Sequence, residues 1–134
     1  MTKLKFFAEN GRFRIVAEGH ATGSPAVCAA ISGIMYALAG YLNNVKNTDT
    51  SSVTYGDTFP SRGRIRGESD DVRLELREGY AEIEFSGGED AKAVYLMAVI
   101  GLLQIAKAEP DYVEIEKDVK IYKNLSETLT QLKI

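Results

Sequence analysis

Two stretches of alternating apolar and polar residues, each doubled back by a turn pair, constrain this chain more than any other feature. Leu4, Phe6 and Ala8 alternate with polar neighbours, Asn10-Gly11 turns the chain, and Phe13, Ile15 and Ala17 resume the alternation. Val72, Leu74 and Leu76 repeat the pattern, Glu78-Gly79 turns, and Ala81, Ile83 and Phe85 follow. A period of two puts apolar side chains on one face of a pleated strand, and a turn pair between two such runs marks a hairpin. Each hairpin then has one face to hide, which places both in one sheet beneath a covering layer.

Two helices supply the cover. Residues 25 to 43 form the first, with Ala29, Ala30, Gly33, Ala37 and Gly40 as a small-residue face suited to close packing on the sheet. Ile34, Met35, Tyr36, Leu38 and Tyr41 supply bulk around it. The second runs from Glu89 and Asp90, at the positive end of its dipole, to about Lys107 at the negative end, and Pro110 enforces the exit. Tyr112, Val113 and Ile115 begin a short strand that Val119, Ile121 and Tyr122 extend or pair with. Leu125, Leu129 and Leu132 sit at helical spacing, predicting a small terminal helix over residues 124–132. Residues 46–63, rich in Asn, Thr, Ser, Asp and Gly, read as a surface loop or irregular strand. The predicted fold is α+β, a compact two-layer α/β sandwich with two principal helices on a mainly antiparallel sheet, in one domain over residues 1–134. That length buries a core without metal or disulfide staples.

The chain holds one histidine and one cysteine, His20 and Cys28, and only residues 21–27 separate them. A lone cysteine in an alanine-rich helix is commonly a buried small hydrophobe and a lone histidine commonly structural. Local chemistry favours nucleophilic catalysis instead. Ser24 is placed as the N-cap acceptor and Pro25 as the first helical residue, where its missing N–H costs nothing. Cys28 then ends the first turn, where unpaired N–H groups and the helix dipole favour a thiolate. His20 ends the strand before, and Ala21-Thr22-Gly23 links it to the helix, so base can meet nucleophile. Gly23 gives the loop backbone angles closed to other residues.

Gly19-His20-Ala21, followed by Val27-Cys28-Ala29-Ala30 and Ser32 at a helix start, resembles the signature of the ribosomal-processing cysteine protease family, Prp. A second stretch is similar as well: Gly101 to Ala106 in an apolar helix, then Pro110-Asp111-Tyr112-Val113 leading into a strand. Together they extend the resemblance over most of residues 1–116. The family loop is longer and carries an aspartate three residues before the cysteine, where this chain has Pro25, and residues 21–27 contain no acid. The resemblance implies a cysteine endopeptidase with a dyad of His20 and Cys28, supported by Gly19, Ala21, Gly23 and Ser32, and a homodimer. Cys28 would attack a peptide carbonyl as thiolate, His20 would act as base and then acid, and N–H groups at the helix start, that of Cys28 included, would hold the oxyanion. The implied substrate is a protein with a cleavable N-terminal segment, either large-subunit ribosomal protein twenty-seven or a phage capsid or scaffold protein. The alternative is a noncatalytic module that uses the same cleft to hold a peptide or protein.

Other features narrow the classes. A single cysteine permits no internal disulfide and no multi-cysteine zinc site, which fits a reducing cytoplasm. The N-terminus lacks the sustained apolar core of a secretory signal. The apolar run from Ala93 to Ala106 falls short of the roughly 20 residues that span a bilayer, so it reads as a buried helix and no membrane partner is expected. A net charge of −3 argues against direct nucleic-acid binding. Arg62, Arg64 and Arg66 precede Glu68, Asp70 and Asp71 and read as a solvated strand edge. Asp111, Glu114, Glu116 and Asp118 nearly alternate with Val113, Ile115 and Val119, which fits the solvent face of a strand better than a metal site. Gly87-Gly88 lacks the ending of a phosphate-binding loop and reads as a turn. Neither cofactor nor metal is expected.

Overall fold

The computed structural model describes residues 1–21, 23–44, 65–68 and 71–116. Its elements are β1 (Thr2–Glu9), β2 (Arg12–Glu18), α1 (Pro25–Asn44), β3 (Ile65–Glu68), β4 (Val72–Arg77), β5 (Tyr80–Ser86), α2 (Glu89–Ala108) and β6 (Val113–Ile115). The strands form one six-stranded sheet in the order β3-β4-β5-β2-β1-β6. Every pairing is antiparallel except that of β6 with β1. The expected α+β arrangement of two helices on a mainly antiparallel sheet is therefore what the chain adopts.

Register turns the two alternating patterns into three apolar rows under the helices. Ala8, Phe13, Phe85 and Val72 lie across the sheet at one end, Phe6, Ile15, Ile83 and Leu74 in the middle, and Leu4, Ala17, Ala81 and Leu76 at the other end. The first row is aromatic at its centre, and Tyr95 of α2 packs on it with ring centroids 4.9 Å from Phe13 and 6.4 Å from Phe85. In the third row the two central residues are alanines. That end of the sheet is thin, and the space left over matters for the site below.

The small residues of α1 do not face the sheet as expected. Ala29, Ala30, Gly33 and Ala37 are exposed, and Val27, Ile31, Met35, Leu38 and Leu42 are the residues turned into the core. Large side chains are needed to reach across to the alanine-poor rows, so bulk goes inward and small residues go to the flank. Close approach occurs between the helices instead: a β-carbon on Gly101 of α2 would lie 2.9 Å from Ile34 Cδ1. Each helix is 20 residues long and apolar enough to cross a bilayer by length and composition, which the shorter apolar run from Ala93 to Ala106 did not suggest, while α2 keeps the bounds expected from Glu89 to about Lys107. One face of each is built into the core, through Met35 and Leu42 in α1 and Tyr95, Val99 and Leu102 in α2.

The opposite face of the sheet is ionic. Glu82, 5% exposed, accepts from Arg14 at 2.5 Å and from Arg73 at 2.6 Å, and the Tyr80 hydroxyl donates to it at 3.2 Å. Burial works against the charged form of Glu82, and the two guanidinium groups outweigh it, holding the carboxyl below its ordinary value. Arg66 falls in β3 at the sheet edge, in register with Glu75. Val113 is buried, Glu114 exposed and Ile115 half-buried, the alternation expected of a strand. The expected loop over 46–63, Arg62, Arg64, Asp70, Asp118, the extension through Val119, Ile121 and Tyr122, and the terminal helix over 124–132 lie outside the described residues.

Candidate active site

A cleft of about 570 Å³ opens at the alanine end of the sheet. Three segments line it: Thr2 with Gly19 and His20, then Cys28, Ser32 and Gly33 of α1, then the turn from Arg77 to Tyr80. Ala17 and Ala81 lie at its base, so the thin third row and the small flank of α1 are what leave it open.

Cys28 is positioned by the start of α1. The Ser24 hydroxyl accepts the Val27 N–H at 3.4 Å, the N-cap that the sequence predicts. The Ser24 N–H closes the connecting loop onto the Ala21 carbonyl at 2.9 Å. This turn brings the Ala21 N–H to 3.2 Å from the half-buried Cys28 Sγ, and the sulfur lies 3.9 Å from the Ala21 carbonyl oxygen. The Cys28 N–H donates to the Ser24 carbonyl at 3.3 Å. It is spent on the helix, which corrects the expectation that it is free for an oxyanion.

His20 is positioned by the sheet. β2 pairs with β5 up to Glu18 and Tyr80, and beyond that register the Gly19 N–H donates to the Gly79 carbonyl at 2.8 Å. Gly19 has φ +91°, and a β-carbon there would lie 2.6 Å from the Met1 carbonyl oxygen, so only glycine fits. The imidazole is exposed and lies across Gly79, whose own φ is +74° and whose added β-carbon would stand 2.9 Å from Nε2. Among the described residues no hydrogen bond joins the imidazole to the sulfur.

The structure thus gathers Gly19, His20, Cys28 and Ser32 around one cleft. Ala21 is buried behind it and contributes its N–H rather than its surface. Gly23 is not a lining residue; it sits beside Tyr112, with φ +90° and 3.6 Å from an added β-carbon to Cε1. Sequence reasoning missed Thr2, Arg77, Gly79 and Tyr80. The Glu78-Gly79 pair announces a turn, but only the pairing of β5 with β2 carries that turn to His20.

Solved structures share this architecture. A crystal structure of the essential ribosomal processing protease Prp from S. aureus, in complex with a covalently linked product peptide, superposes with a TM-score of 0.57 at 14% identity, covering 88% of this chain and all of that one. The same S. aureus protease with a substrate peptide gives 0.57 at 12% identity over the same shares. SMU.848 from Streptococcus mutans gives 0.53 at 16% identity, covering 87% of this chain and 92% of that one. No curated protein sequence matches. The model of the cysteine protease Prp family matches residues 1–114, through both hairpins, both helices and the segment that holds His20 and Cys28, and the chain belongs to that family.

Proposed function

We propose that this chain is a cysteine endopeptidase that works with a dyad of Cys28 and His20. The observation that carries the reading is the convergence of the only thiol and the only imidazole on one open cleft, in the fold of a protease family. His20 takes the thiol proton of Cys28, and Sγ, as thiolate, attacks the carbonyl carbon of the scissile peptide. The Ala21 N–H, already directed at the sulfur, turns its hydrogen bond to the oxyanion that forms there. His20 protonates the departing amine, leaving a thioester, then takes a proton from the water that hydrolyses it. The ring works from its seat against Gly79, and the contact with the sulfur that is open in the free chain tightens when substrate fills the cleft.

The substrate in this reading is a protein with a cleavable N-terminal segment, which binds extended along the cleft. The S. aureus protease was crystallised with substrate and product peptides, which supports a peptide ligand. A ribosomal protein of the large subunit is the first candidate and a phage structural protein the second. A cytoplasmic homodimer is part of the same proposal.

The test is cleavage of peptides drawn from the N-termini of ribosomal and phage capsid proteins, by the native chain, Cys28→Ala and His20→Ala. Cutting that both changes abolish is the expected outcome. Peptides that bind Cys28→Ala yet are never cut by the native chain would replace the enzyme with a peptide-binding module.

A further inference from the structure

We propose that Thr2 is a positioning residue for His20, its hydroxyl fixing the peptide plane from which the imidazole is hung. The inference rests on the catalytic reading of His20 given above. Thr2 opens β1 and is 3% exposed, an uncommon place for a hydroxyl unless it is bonded. Its Oγ1 donates to the Gly19 carbonyl at 3.3 Å, and its N–H donates to the Tyr112 carbonyl at 2.9 Å. The pairing of Lys3 with Glu18, extended by one residue, sets Thr2 opposite Gly19.

Gly19 is the pliable link in front of His20. Its N–H is held by Gly79, which fixes the peptide entering it. Its carbonyl belongs to the next peptide, whose nitrogen is that of His20, and Thr2 holds that carbonyl. An exposed imidazole gains little orientation from packing, so its direction depends on the backbone behind it. A glycine at φ +91° gives that backbone freedom on both sides. The threonine side chain is branched and stiff at χ1, which makes it a firm peg. Thr2 also lines the cleft, so the peg stands beside the site it serves.

The experiment compares Thr2→Val, which keeps the shape and deletes the donor, with Thr2→Ser, which keeps the donor. Readouts are kcat and KM on a cleaved peptide between about pH 5 and 9, melting temperature, and the imidazole NMR resonances, unambiguous because the chain has one histidine. Thr2→Val should lower kcat about fivefold, as loss of one ordinary hydrogen bond does, with KM within about twofold. Its His20 resonances should shift and broaden, and Thr2→Ser should match the native chain in both. Unchanged resonances and kcat in Thr2→Val would overturn the proposal. So would a Thr2→Ser that loses as much as Thr2→Val, since the methyl group would then matter and not the hydroxyl. If Thr2→Val does not fold, a Thr2→Ser with native resonances sustains the proposal and one with displaced resonances overturns it. Cleavage that survives His20→Ala would sink the catalytic reading instead, and the imidazole resonances would still decide whether Thr2 places the ring.

Discussion

Replacing Gly79 by alanine should uncouple activity from stability, because the new methyl group meets the imidazole and little else. The added β-carbon would lie 2.9 Å from His20 Nε2, 3.4 Å from Cδ2 and 3.5 Å from Cε1. Ordinary contact begins at 3.4 Å, so the ring must withdraw by about half an ångström, which an exposed side chain does at small cost. The backbone adds a second charge, since φ +74° costs an alanine about 1 kcal/mol relative to glycine. At about 2.1 cal/mol/K of unfolding entropy per residue, that lowers Tm by about 3–4 °C for this chain. A catalytic group misplaced by 1 Å loses on the order of a hundredfold, so half that displacement is expected to lower kcat about tenfold with KM little changed. Steady-state kinetics on a cleaved peptide, measured well below Tm, checks the rate, and calorimetry checks the stability. Gly40→Ala is the control: it lies in α1 away from the cleft, nothing stands within 4 Å of its added carbon, and it should gain about 0.5–1 kcal/mol at native kcat. A folded Gly79→Ala chain with native kcat would refute the placement of the imidazole, and a fall in Tm above about 10 °C would refute the claim that only a side chain has to move.

Tyr95 packs in the core with a buried hydroxyl that has no hydrogen-bond partner among the described residues, so Tyr95→Phe removes an uncompensated desolvation and should raise stability by about 1 kcal/mol in urea unfolding; a loss of that size would mean the hydroxyl is paired. Glu82 titrates below its ordinary value of 4.5 in the folded chain, so its ionised form stabilises the fold fully above that value, and the contribution disappears as pH falls through the lower folded one. The stability gap between the native chain and Glu82→Gln should therefore be constant near neutrality and shrink below about pH 4.5; a gap that persists undiminished at acid pH would show that it does not come from the ionised carboxylate held by Arg14 and Arg73.

The strands whose alternation is strict, around Phe6 and Ile15 and around Leu74 and Ile83, were legible because a period of two assigns each residue a face without reference to its neighbours. The Ser24 cap was legible because it is closed by hydrogen bonds within four residues. Strand order was not, since alternation says which face a residue takes and nothing about which strand lies beside it. That is why β5 against β2, and β6 parallel to β1, emerge only in three dimensions. The stripe of Ala29, Ala30, Gly33 and Ala37 misled because small residues suit close packing and open clefts equally well, and only the size of the opposing sheet residues decides between them. Thr2 and Gly79 belong to the site through backbone pairing, a contribution that side-chain chemistry does not advertise.

The cleft draws on residues near both ends of the first 81 positions, yet its two reactive groups lie close together in sequence. A growing chain therefore presents the thiol and the imidazole early in synthesis, while the turn that stops the imidazole on Gly79 arrives only with β5. Because β5 docks on the distant β2 as well as on newly made β4, that last contact spans most of the translated domain and is expected after the local hairpins. In the proposed mechanism an unfinished chain would carry the reagents without the jig, and competence would wait until the second hairpin has left the ribosome and found its place.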